Sequence, residues 1–596
     1  MTIAPMVRVT LCGLAHEKPR ILEELQALGV LHLIPLRTPG PLTPDDPAAR
    51  RRADTAFRHL QDSSEQLTPW PLSKPFDDDA VIGEIIENRL TLRRLTDRSF
   101  ELDHLIETLE PWGEFRLPQP AELRGEQLWL YALPRKDRAA LDQLRLPWAI
   151  VGRSETALHV AVVAKEPPPR TILPVPRLET GEATLAELRA ERVDVGIALE
   201  MAERARADLT RWRLALGAEL AAAEDTDDRR AAAEQTLDDD RVFAVQGWAP
   251  ADSAPALRRL ADAERLALVA EPPARDDTPP TLLRAEGDRK AMGSDLTSFY
   301  MSPGYRSWDP SIVVFTSFAI FFAMILADAG YAVLLGLLTA VYWQRLGATA
   351  SGRRFRALLA ALGSASFVYG VAAGSYFGFA PPAGGWLERL VVVDVTDFEA
   401  MMRVSILIGA AHITIALTAS AWLERARGKG LSALGWIAVI MGGLALWLGE
   451  SPTVLQAAPL LLAGGLAAVF MGGLTGQPAG ATLATRLAAA ALGLTGATKL
   501  FGDLLSYLRL FALGLASASL AGTFNELALG ILDNQPGIGV LLAIFVLLFG
   551  HAINIAIGLM SGVVHGLRLN YIEFFGWGLP EEGYPFRAFA KRETTA

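Results

Sequence analysis

Long apolar stretches fill the second half of the chain and place it among membrane proteins. From residue 311 to residue 571 the chain is mostly Ala, Leu, Gly, Val and Ile, with charges confined to short clusters. Up to about residue 290, by contrast, Arg, Asp and Glu are frequent. A stretch of about 20 apolar residues can cross a bilayer as a helix. We therefore predict a cytoplasmic α+β arm over residues 1–300, an all-α polytopic membrane domain over 301–580 and a cytoplasmic tail over 581–596.

Strand and helix patterns indicate three small α/β lobes in the arm, at about residues 1–50, 120–170 and 240–272. In the first lobe, residues 7–11 favour a strand, residues 19–28 a helix that stops at Gly29, and residues 31–36 a second strand. The other two lobes contain similar patterns.

Two helical stretches, at about residues 53–112 and 177–236, lie between the lobes and carry seven-residue hydrophobic repeats. Such repeats are typical of coiled coils. We predict an antiparallel coiled-coil hairpin; two amphipathic helices on a compact core are the alternative. The repeat positions are Ile85, Leu92 and Ile106, then Leu95, Leu102 and Leu109, and in the second stretch Leu188, Val195, Ala202, Leu209 and Leu216.

Basic residues mark alternate loops of the membrane half. The positive-inside rule assigns the basic loops, together with the arm, to the cytoplasm. The 33 residues of 311–343 must then cross an even number of times, and as one helix they would measure about 50 Å against about 30 Å of hydrocarbon. We predict a hairpin there that turns near Asp328. The basic clusters are 345–356, 424–429, 486–499 and the tail, and the loops with few basic residues are 380–400, 450–456 and 532–537.

Six further crossings bring the total to eight, with both termini in the cytoplasm. The last two are longer than the roughly 20 residues of an upright helix, so we expect them to be strongly tilted or to extend beyond the bilayer. The six are 355–377, 401–423, 431–448, 457–474, 499–529 and 538–571.

Each of the last two predicted helices carries a polar or small-residue stripe at helical spacing. The first stripe is Asp503, Ser506, Arg509, Ala512, Ala516, Ser519, Thr523 and Glu526, and the second is His551, Asn554, Gly558, Ser561, His565 and Arg568.

Arg509 lies close to the predicted midplane, about 15 Å along the helix from Lys499. A central Arg costs about 2.5–3.5 kcal/mol on insertion scales, and intramembrane charges mark ion pathways by default. The Arg568 side chain can instead reach the headgroups from the cytoplasmic end. Interfacial positions are the alternative for Asp503, Glu526 and Glu573.

Several motifs resemble those of one protein family. FGDLLSYLRLFALGLASASLAG at 501–522 and VVHGLRLNYIEFFGWGLPEEGYPF at 563–586 are similar to the C-terminal part of subunit a, called subunit I in prokaryotes, of the V/A-type rotary ATPases. GWAP at 247–250, DDTPPTLL at 276–283, YMSPGYRSWDP at 300–310 and FFAMILADAGYAVLL at 321–335 occur in the family's order. The chain departs from its relatives at Ala327, where they usually have Gly, and from eukaryotic relatives at Ser517 and Gly558.

The resemblance implies a non-catalytic stator subunit in a prokaryotic plasma membrane. Its implied partners are a rotating ring of proteolipid c subunits, peripheral stalk subunits, the rest of the complex and membrane lipid. In the family, each ring subunit exchanges its ion beside subunit a, and an Arg there keeps its charge at any working pH.

For this chain, the resemblance implies that Arg509, supported by Arg568, takes this part in coupling H⁺ or Na⁺ flow to ATP synthesis or hydrolysis. Further candidates for the two ion half-channels are Asp503, Ser506, Ser519, Glu526, His551, Asn554, Ser561, His565 and Glu573.

Other classes of function fit fewer observations. No G-x-x-x-x-G-K-[ST] motif occurs, so we expect this chain neither to hydrolyse ATP nor to bind a nucleotide directly. We also expect no cofactor and no metal. A net charge of −10 argues against nucleic-acid binding. The N-terminal residues lack the pattern of a signal peptide. A secondary ion transporter or a membrane scaffold with a large cytoplasmic domain is the alternative, but no inverted repeat is evident and a scaffold leaves Arg509 unexplained.

Cysteine labelling tests the predicted topology. In a Cys12→Ser background, an impermeant maleimide added to intact cells should label Asp394→Cys and spare Thr349→Cys. The reason is that the predicted topology places the loop 380–400 outside and the basic loop 345–356 in the cytoplasm. Labelling of Thr349→Cys from outside would refute the eight-crossing topology, and Asp394→Cys is the matched positive control.

Overall fold

Ten strands form three sheets in the part of the chain that the structure describes. The structure is a computed structural model that describes residues 3–38, 47–118, 121–154, 156–169, 172–178, 183–284, 288–394, 397–425, 430–478, 480–534, 537–579 and 581–592. The strands are β1 (Met6–Leu14), β2 (His32–Ile34), β3 (Gln127–Pro134), β4 (Trp148–Arg153), β5 (Ala157–Ala164), β6 (Leu237–Asp238), β7 (Val242–Pro250), β8 (Ala267–Glu271), β9 (Ser302–Pro303) and β10 (Glu582–Gly583). One sheet has the order β2-β7-β1-β8 with β6 paired to β7, another has the order β3-β5-β4, and β9 pairs with β10. The predicted basic cluster at 424–429 lies mostly outside the described residues.

The helices divide between two compact units. Residues 18–29, 37–236 and 590–596 form one unit, with α1 (Lys18–Leu28), α2 (Pro47–Gln61), α3 (Asp78–Leu109), α4 (Ala139–Asp142), α5 (Leu185–Leu209) and α6 (Arg213–Gln235). Residues 1–17, 30–36 and 237–589 form the other unit. Its helices are α7 (Ala254–Ala263), α8 (Asp288–Tyr300), α9 (Ser311–Leu326), α10 (Ala329–Val341), α11 (Trp343–Leu346), α12 (Ala350–Ala373), α13 (Phe398–Leu423), α14 (Gly430–Leu448), α15 (Pro452–Thr475), α16 (Leu483–Leu494), α17 (Gly496–Ser506), α18 (Leu508–Asn534), α19 (Ile538–Arg568) and α20 (Phe575–Gly578).

The five-stranded sheet joins the lobes that the sequence suggests as separate units at 1–50 and 240–272. β1 pairs antiparallel with β7, from Met6 opposite Pro250 to Leu14 opposite Val242, and it pairs with β8 on its other edge. Where β7 meets β2, a Cβ on Gly247 would lie 2.6 Å from the carbonyl oxygen of His32. Only glycine fits so close to a neighbouring backbone, which explains the first residue of the GWAP motif.

The two heptad-bearing stretches contact each other through α3 and α5, which run antiparallel. Arg192 pairs with Asp103 at 2.6 Å, and the Asn88 side chain donates to the carbonyl oxygen of Ala202 at 2.9 Å. Every heptad position of the second stretch is buried. In the first stretch Leu95 and Ile106 are half-buried and the remaining positions are buried.

Each of these stretches contains two helices rather than one. α2 and α3 are separated by a segment with Pro69, Pro71 and Pro75, which cannot continue a helix because proline lacks the N–H and clashes with the preceding turn. α5 and α6 are separated by the 3-10 turn Thr210–Trp212.

Six helical segments among the described residues are long and apolar enough to cross a membrane. They are Ser351–Ala373, Phe398–Leu423, Gly430–Leu448, Pro452–Thr475, Leu483–Asn534 and Gly539–Gly578. The fifth begins at Leu483 rather than near Lys499 because α16 and α17 continue into α18.

Two shorter apolar helices, α9 and α10, occupy the predicted hairpin and are separated at Ala327 and Asp328. The first turns of α12 lie near the start of α9 and the end of α10. Arg354 of α12 pairs at 2.8 Å with Asp295 of α8, the helix before α9. Arg356 of α12 donates a hydrogen bond to the carbonyl of Trp343, just after α10. The break itself meets the end of α12, where the Ala329 N–H donates to Ser375. The chain therefore turns back at this break. At 16 and 13 residues the helices measure about 24 and 20 Å, so two full crossings stay a prediction.

His159 supplies a pH test of the three-stranded sheet. It is 5% exposed, its ring nitrogens lack hydrogen-bond partners among the described residues, and it packs edge-on against Trp112. Burial lowers the pKa of His159. Neutral His159 therefore contributes fully to the stability of the fold above about pH 6.5, the pKa of histidine in the unfolded chain. As the pH falls from there toward the lower pKa in the folded state, the unfolded chain binds a proton that the folded chain does not, and this stability is lost.

Hydrogen exchange of β5 in the full chain, corrected for intrinsic rates, measures this effect. We expect protection to decrease as the pH is lowered below about 6.5, and we expect His159→Phe, which keeps an aromatic ring against Trp112, to lose that dependence. Equal pH dependence in the two proteins would contradict the assignment to His159.

Candidate functional site

α18 and α19 pack side by side and carry most of the predicted site residues. Arg509 is the second residue of α18 and lies midway along the helical segment Leu483–Asn534. At Asp503, Ser506 and Arg509 the polar stripe is half-buried, and its later members Ala512, Ala516, Ser519, Thr523 and Glu526 are exposed. The stripe therefore leads from a partly enclosed region at Arg509 onto an open face of α18.

An arginine cluster forms around Arg509, and we define it as Asp503, Ser506, Arg509, His565, Arg568 and Glu573. Arg509 lies within range of electrostatic interaction with Arg568 and Glu573, and His565 lies within that range of both arginines. The Arg509 Nη1 atom is buried and has no hydrogen-bond partner among the described residues. Arg568 itself is exposed. The cluster therefore brings together six of the predicted site residues.

Two carboxylates complete the arginine cluster. Glu573 is 2% exposed and hydrogen-bonds with Ser506, while its Oε2 atom lacks a partner among the described residues. Asp503 accepts a hydrogen bond of 2.7 Å from the indole of Trp577. Sequence reasoning missed Trp577, although it lies within the FFGWG segment of a quoted motif.

A π-helical turn, Leu569–Phe574, follows Arg568 and contains Glu573. In a π-helix the hydrogen bonds join residues five apart, and such turns are frequent at functional sites. The buried Glu573 in this turn lies within electrostatic range of Arg509, whereas Arg568 just before the turn is exposed. No pattern in the sequence predicted this turn.

A second group, the histidine network, consists of Tyr331, Ser517, Asn525, His551 and Asn554. His551 Nδ1 lies 2.7 Å from the Tyr331 hydroxyl and its Nε2 lies 3.0 Å from Asn525 Oδ1. The Asn554 amide donates to Tyr331 and to the Ser517 carbonyl, at 3.0 and 2.9 Å. His551 and Asn554 were predicted as site residues. Tyr331 and Asn525 were not, because α10 and α18 meet α19 only in the folded chain.

Asp328 clamps the break between α9 and α10 to the segment after α12. Its carboxylate accepts hydrogen bonds from the N–H groups of Tyr331, Phe377 and Gly378 at 2.9–3.0 Å and from the Ser375 hydroxyl at 2.6 Å. The Phe377 carbonyl then accepts from Asn525 at 2.8 Å. The clamp is thus continuous with the histidine network.

Three predicted residues lie outside both groups. Ser519 and Glu526 are exposed and Ser561 is half-buried, and among the described residues no hydrogen bond or ion pair joins their side chains to either group. In the described part of the chain, no group of three His, Cys, Asp or Glu side chains is arranged to hold a metal ion.

Comparisons with known proteins address the family resemblance. No protein-family model matches the chain. V-type ATP synthase subunit I of Chlamydia pneumoniae is 27% identical over 422 residues, covering 60% of this chain and 62% of that protein. V-type ATP synthase subunit I 1 of Treponema pallidum is 24% identical over 652 residues, covering 99% of this chain and all of that protein.

The resemblance to subunit I of the V/A-type ATP synthases is confirmed. The match spans less than two thirds of the Chlamydia protein. A solved cytoplasmic N-terminal domain of a V-ATPase subunit I is 16% identical and covers 44% of this chain and 99% of that chain, with a TM-score of 0.25, which is too low to support an argument. Six helical segments among the described residues are long and apolar enough to cross a membrane, and together with relatives of this kind they indicate a multi-pass membrane protein.

One departure from the subunit I pattern now has a physical description. Ala327 ends α9 with a φ of 47°, in the left-handed region that is costly for a residue with a Cβ. Glycine has no such cost, so the usual glycine of the relatives suits this position better. Ser517, another departure, hydrogen-bonds with Asn554 at 3.3 Å.

The clamp predicts that Asp328→Asn destabilises the packing of α9 and α10 against the end of α12. An amide oxygen can replace Oδ1, but the amide nitrogen would then take the place of Oδ2, which accepts from both the Ser375 hydroxyl and the Gly378 N–H. Leaving such buried donors unpaired costs about 1–3 kcal/mol. We expect a lower unfolding temperature of the purified protein in detergent, whereas the exposed control Glu526→Gln should change it little. Equal unfolding temperatures for both variants would show that the clamp contributes nothing.

Proposed function

We propose that this chain is the stator subunit of a V/A-type rotary ATPase, which provides the ion half-channels and the essential arginine against a proteolipid c-ring. It would couple the flow of H⁺ or Na⁺ to ATP synthesis or hydrolysis without catalysing either reaction. The observation that supports this most is Arg509: a permanent cation midway along an apolar helical segment, with an unpartnered Nη1 atom among the described residues.

The charges around Arg509 suit this role. Arg509 lies within electrostatic range of Arg568 and of the buried carboxylate Glu573, and its Nη1 atom has no hydrogen-bond partner among the described residues. A ring carboxylate arriving there would be favoured in its ionised form by the opposite charge. It would therefore release its proton or sodium ion. Because Arg keeps its charge, the same group would oppose the direct passage of cations between the half-channels.

The exposed stripe of α18 is the proposed surface for the ring. Ala512, Ala516, Ser519 and Thr523 are small and exposed. Small residues allow helices in a membrane to approach closely. A ring helix could then move past α18 with its carboxylate directed toward Arg509.

The two polar groups are the proposed linings of the two half-channels. In the predicted topology the arginine cluster, with Asp503, Ser506, His565 and Glu573, lies toward the cytoplasm. The histidine network, with His551 and Asn554, lies toward the outside, and Glu526 and Ser519 extend it along α18. Ser561 lies between the two groups in the sequence of α19.

The arm is the proposed attachment for peripheral stalks. α3 and α5 form an antiparallel pair held by an apolar seam and by ion pairs such as Arg189–Glu110 at 2.6 Å and Arg98–Glu191 at 2.7 Å. We propose that this pair is the coiled-coil hairpin of a cytoplasmic arm that resists the torque of the rotor. Both termini would lie in the cytoplasm of a prokaryotic plasma membrane.

Substitutions at Arg509 test the function. Arg509→Ala should leave assembly largely intact, abolish ion-coupled ATP synthesis and uncouple or stall hydrolysis. Arg509→Lys should retain little or no pumping, because lysine is a shorter point donor that can lose its proton when buried. Ion pumping in reconstituted vesicles, normalised to assembled complex, is the measurement.

Arg568→Lys is the matched control, since Arg568 is exposed and a lysine there can remain solvated. We expect a milder loss than in Arg509→Lys. Near-normal pumping by Arg509→Ala would reduce Arg509 to a packing residue and would remove the proposed mechanism.

A further inference from the structure

Tyr507 separates α17 from α18, two residues before Arg509. Its N–H donates to the Leu504 carbonyl at 3.3 Å, and its own carbonyl accepts from the Leu510 N–H at 3.0 Å. Both bonds join residues three apart, so the helix tightens locally to a 3-10 turn. Such a turn inside a helix often marks a functional hinge. Arg509 lies within this turn.

Tyr507 is held in the core by contacts from α13. Its side chain is fully buried, and its hydroxyl lies 2.8 Å from His412 Nδ1. A Cβ on Gly409 would lie 2.5 Å from Tyr507 Cγ, so the tyrosine ring rests against the backbone of α13, which only glycine permits. The position of the turn is therefore determined by α13.

His412 also contacts the segment that carries the rest of the arginine cluster. Its ring, 4% exposed, stacks on Phe574 with centroids 4.3 Å apart and planes inclined by 8°. Phe574 ends the π-helical turn and directly follows Glu573. One imidazole thus contacts both Tyr507, in the turn that contains Arg509, and Phe574, in the turn that contains Glu573.

We infer that His412 and Tyr507 position Arg509 relative to Glu573 and Arg568, an inference that rests on the proposed function of Arg509. Rotation or sliding of α18 at its hinge would separate the Tyr507 hydroxyl from His412 within an apolar cluster. That separation would leave two buried polar groups unpaired, which is costly. The bond therefore favours one position of the Arg509 side chain against the forces exerted by a moving ring. Both are positioning residues, since neither belongs to the arginine cluster.

Tyr507→Phe tests the inference because it removes one oxygen atom and keeps the ring against Gly409. A hydrogen bond of ordinary net strength changes a local equilibrium by about fivefold. We expect about that fall in ions transported per ATP hydrolysed, with the amount of assembled complex unchanged. Tyr369→Phe is the matched control, because Tyr369 packs on the same core cluster and its hydroxyl makes only a 3.9 Å contact with the Met401 sulfur among the described residues.

Substitutions at His412 separate positioning from packing. His412→Asn can place an amide atom near the position of Nδ1 and bond to Tyr507, whereas His412→Leu cannot. We expect Asn to retain more coupling than Leu in vesicles containing equal amounts of complex. Normal coupling in both Tyr507→Phe and His412→Leu would overturn the inference. So would an equal loss of assembled complex in His412→Asn and His412→Leu.

Arg509→Ala, measured in the same vesicles, tests the proposed function separately from this inference. Normal pumping by Arg509→Ala would refute the proposed function. Lost pumping there, together with normal coupling in Tyr507→Phe, would refute the positioning role alone.

Discussion

A permanent positive charge in the middle of an apolar helical segment is the constraint on which the arrangement of α18 and α19 depends. Arg cannot relieve the cost of burial by losing its proton, so its surroundings must accommodate the charge. The buried carboxylate of Glu573 is brought near Arg509 by a π-helical turn, and the open stripe of α18 begins beside it. The geometry of two helices is thus organised around one side chain.

The buried polar groups differ in how completely they are satisfied. The Asp328 carboxylate accepts four hydrogen bonds, and in the histidine network both ring nitrogens of His551 have partners. The arginine cluster, by contrast, contains three atoms without partners among the described residues: Arg509 Nη1, His565 Nδ1 and Glu573 Oε2. Unpartnered buried atoms are costly. The proposed function assigns the exchanging ring carboxylate to this cluster.

The sequence predicted local elements well and long-range pairings poorly. The heptad positions of the arm are buried or half-buried, and the turn expected near Asp328 is a break between two helices. The pairing of β1 with β7 and β8 was missed, because strand pairing across more than 200 residues leaves no local periodicity. The prolines between α2 and α3 were a visible signal that the helix is interrupted.

For the candidate site, the sequence by itself determined which helix faces are polar and that Arg509 lies deep among apolar residues, because both follow from helical spacing along one segment. Only the tertiary structure decided which of those residues meet. It separated the arginine cluster from the histidine network, left Ser519, Glu526 and Ser561 outside both, and added Tyr331, Asn525 and Trp577. It also showed that His412, on a helix with no charged stripe, contacts Tyr507 near Arg509 and Phe574 next to Glu573. The reason is physical: spacing along a helix defines the direction of each side chain, whereas contact depends on how separate helices pack, and that packing is determined by the whole chain.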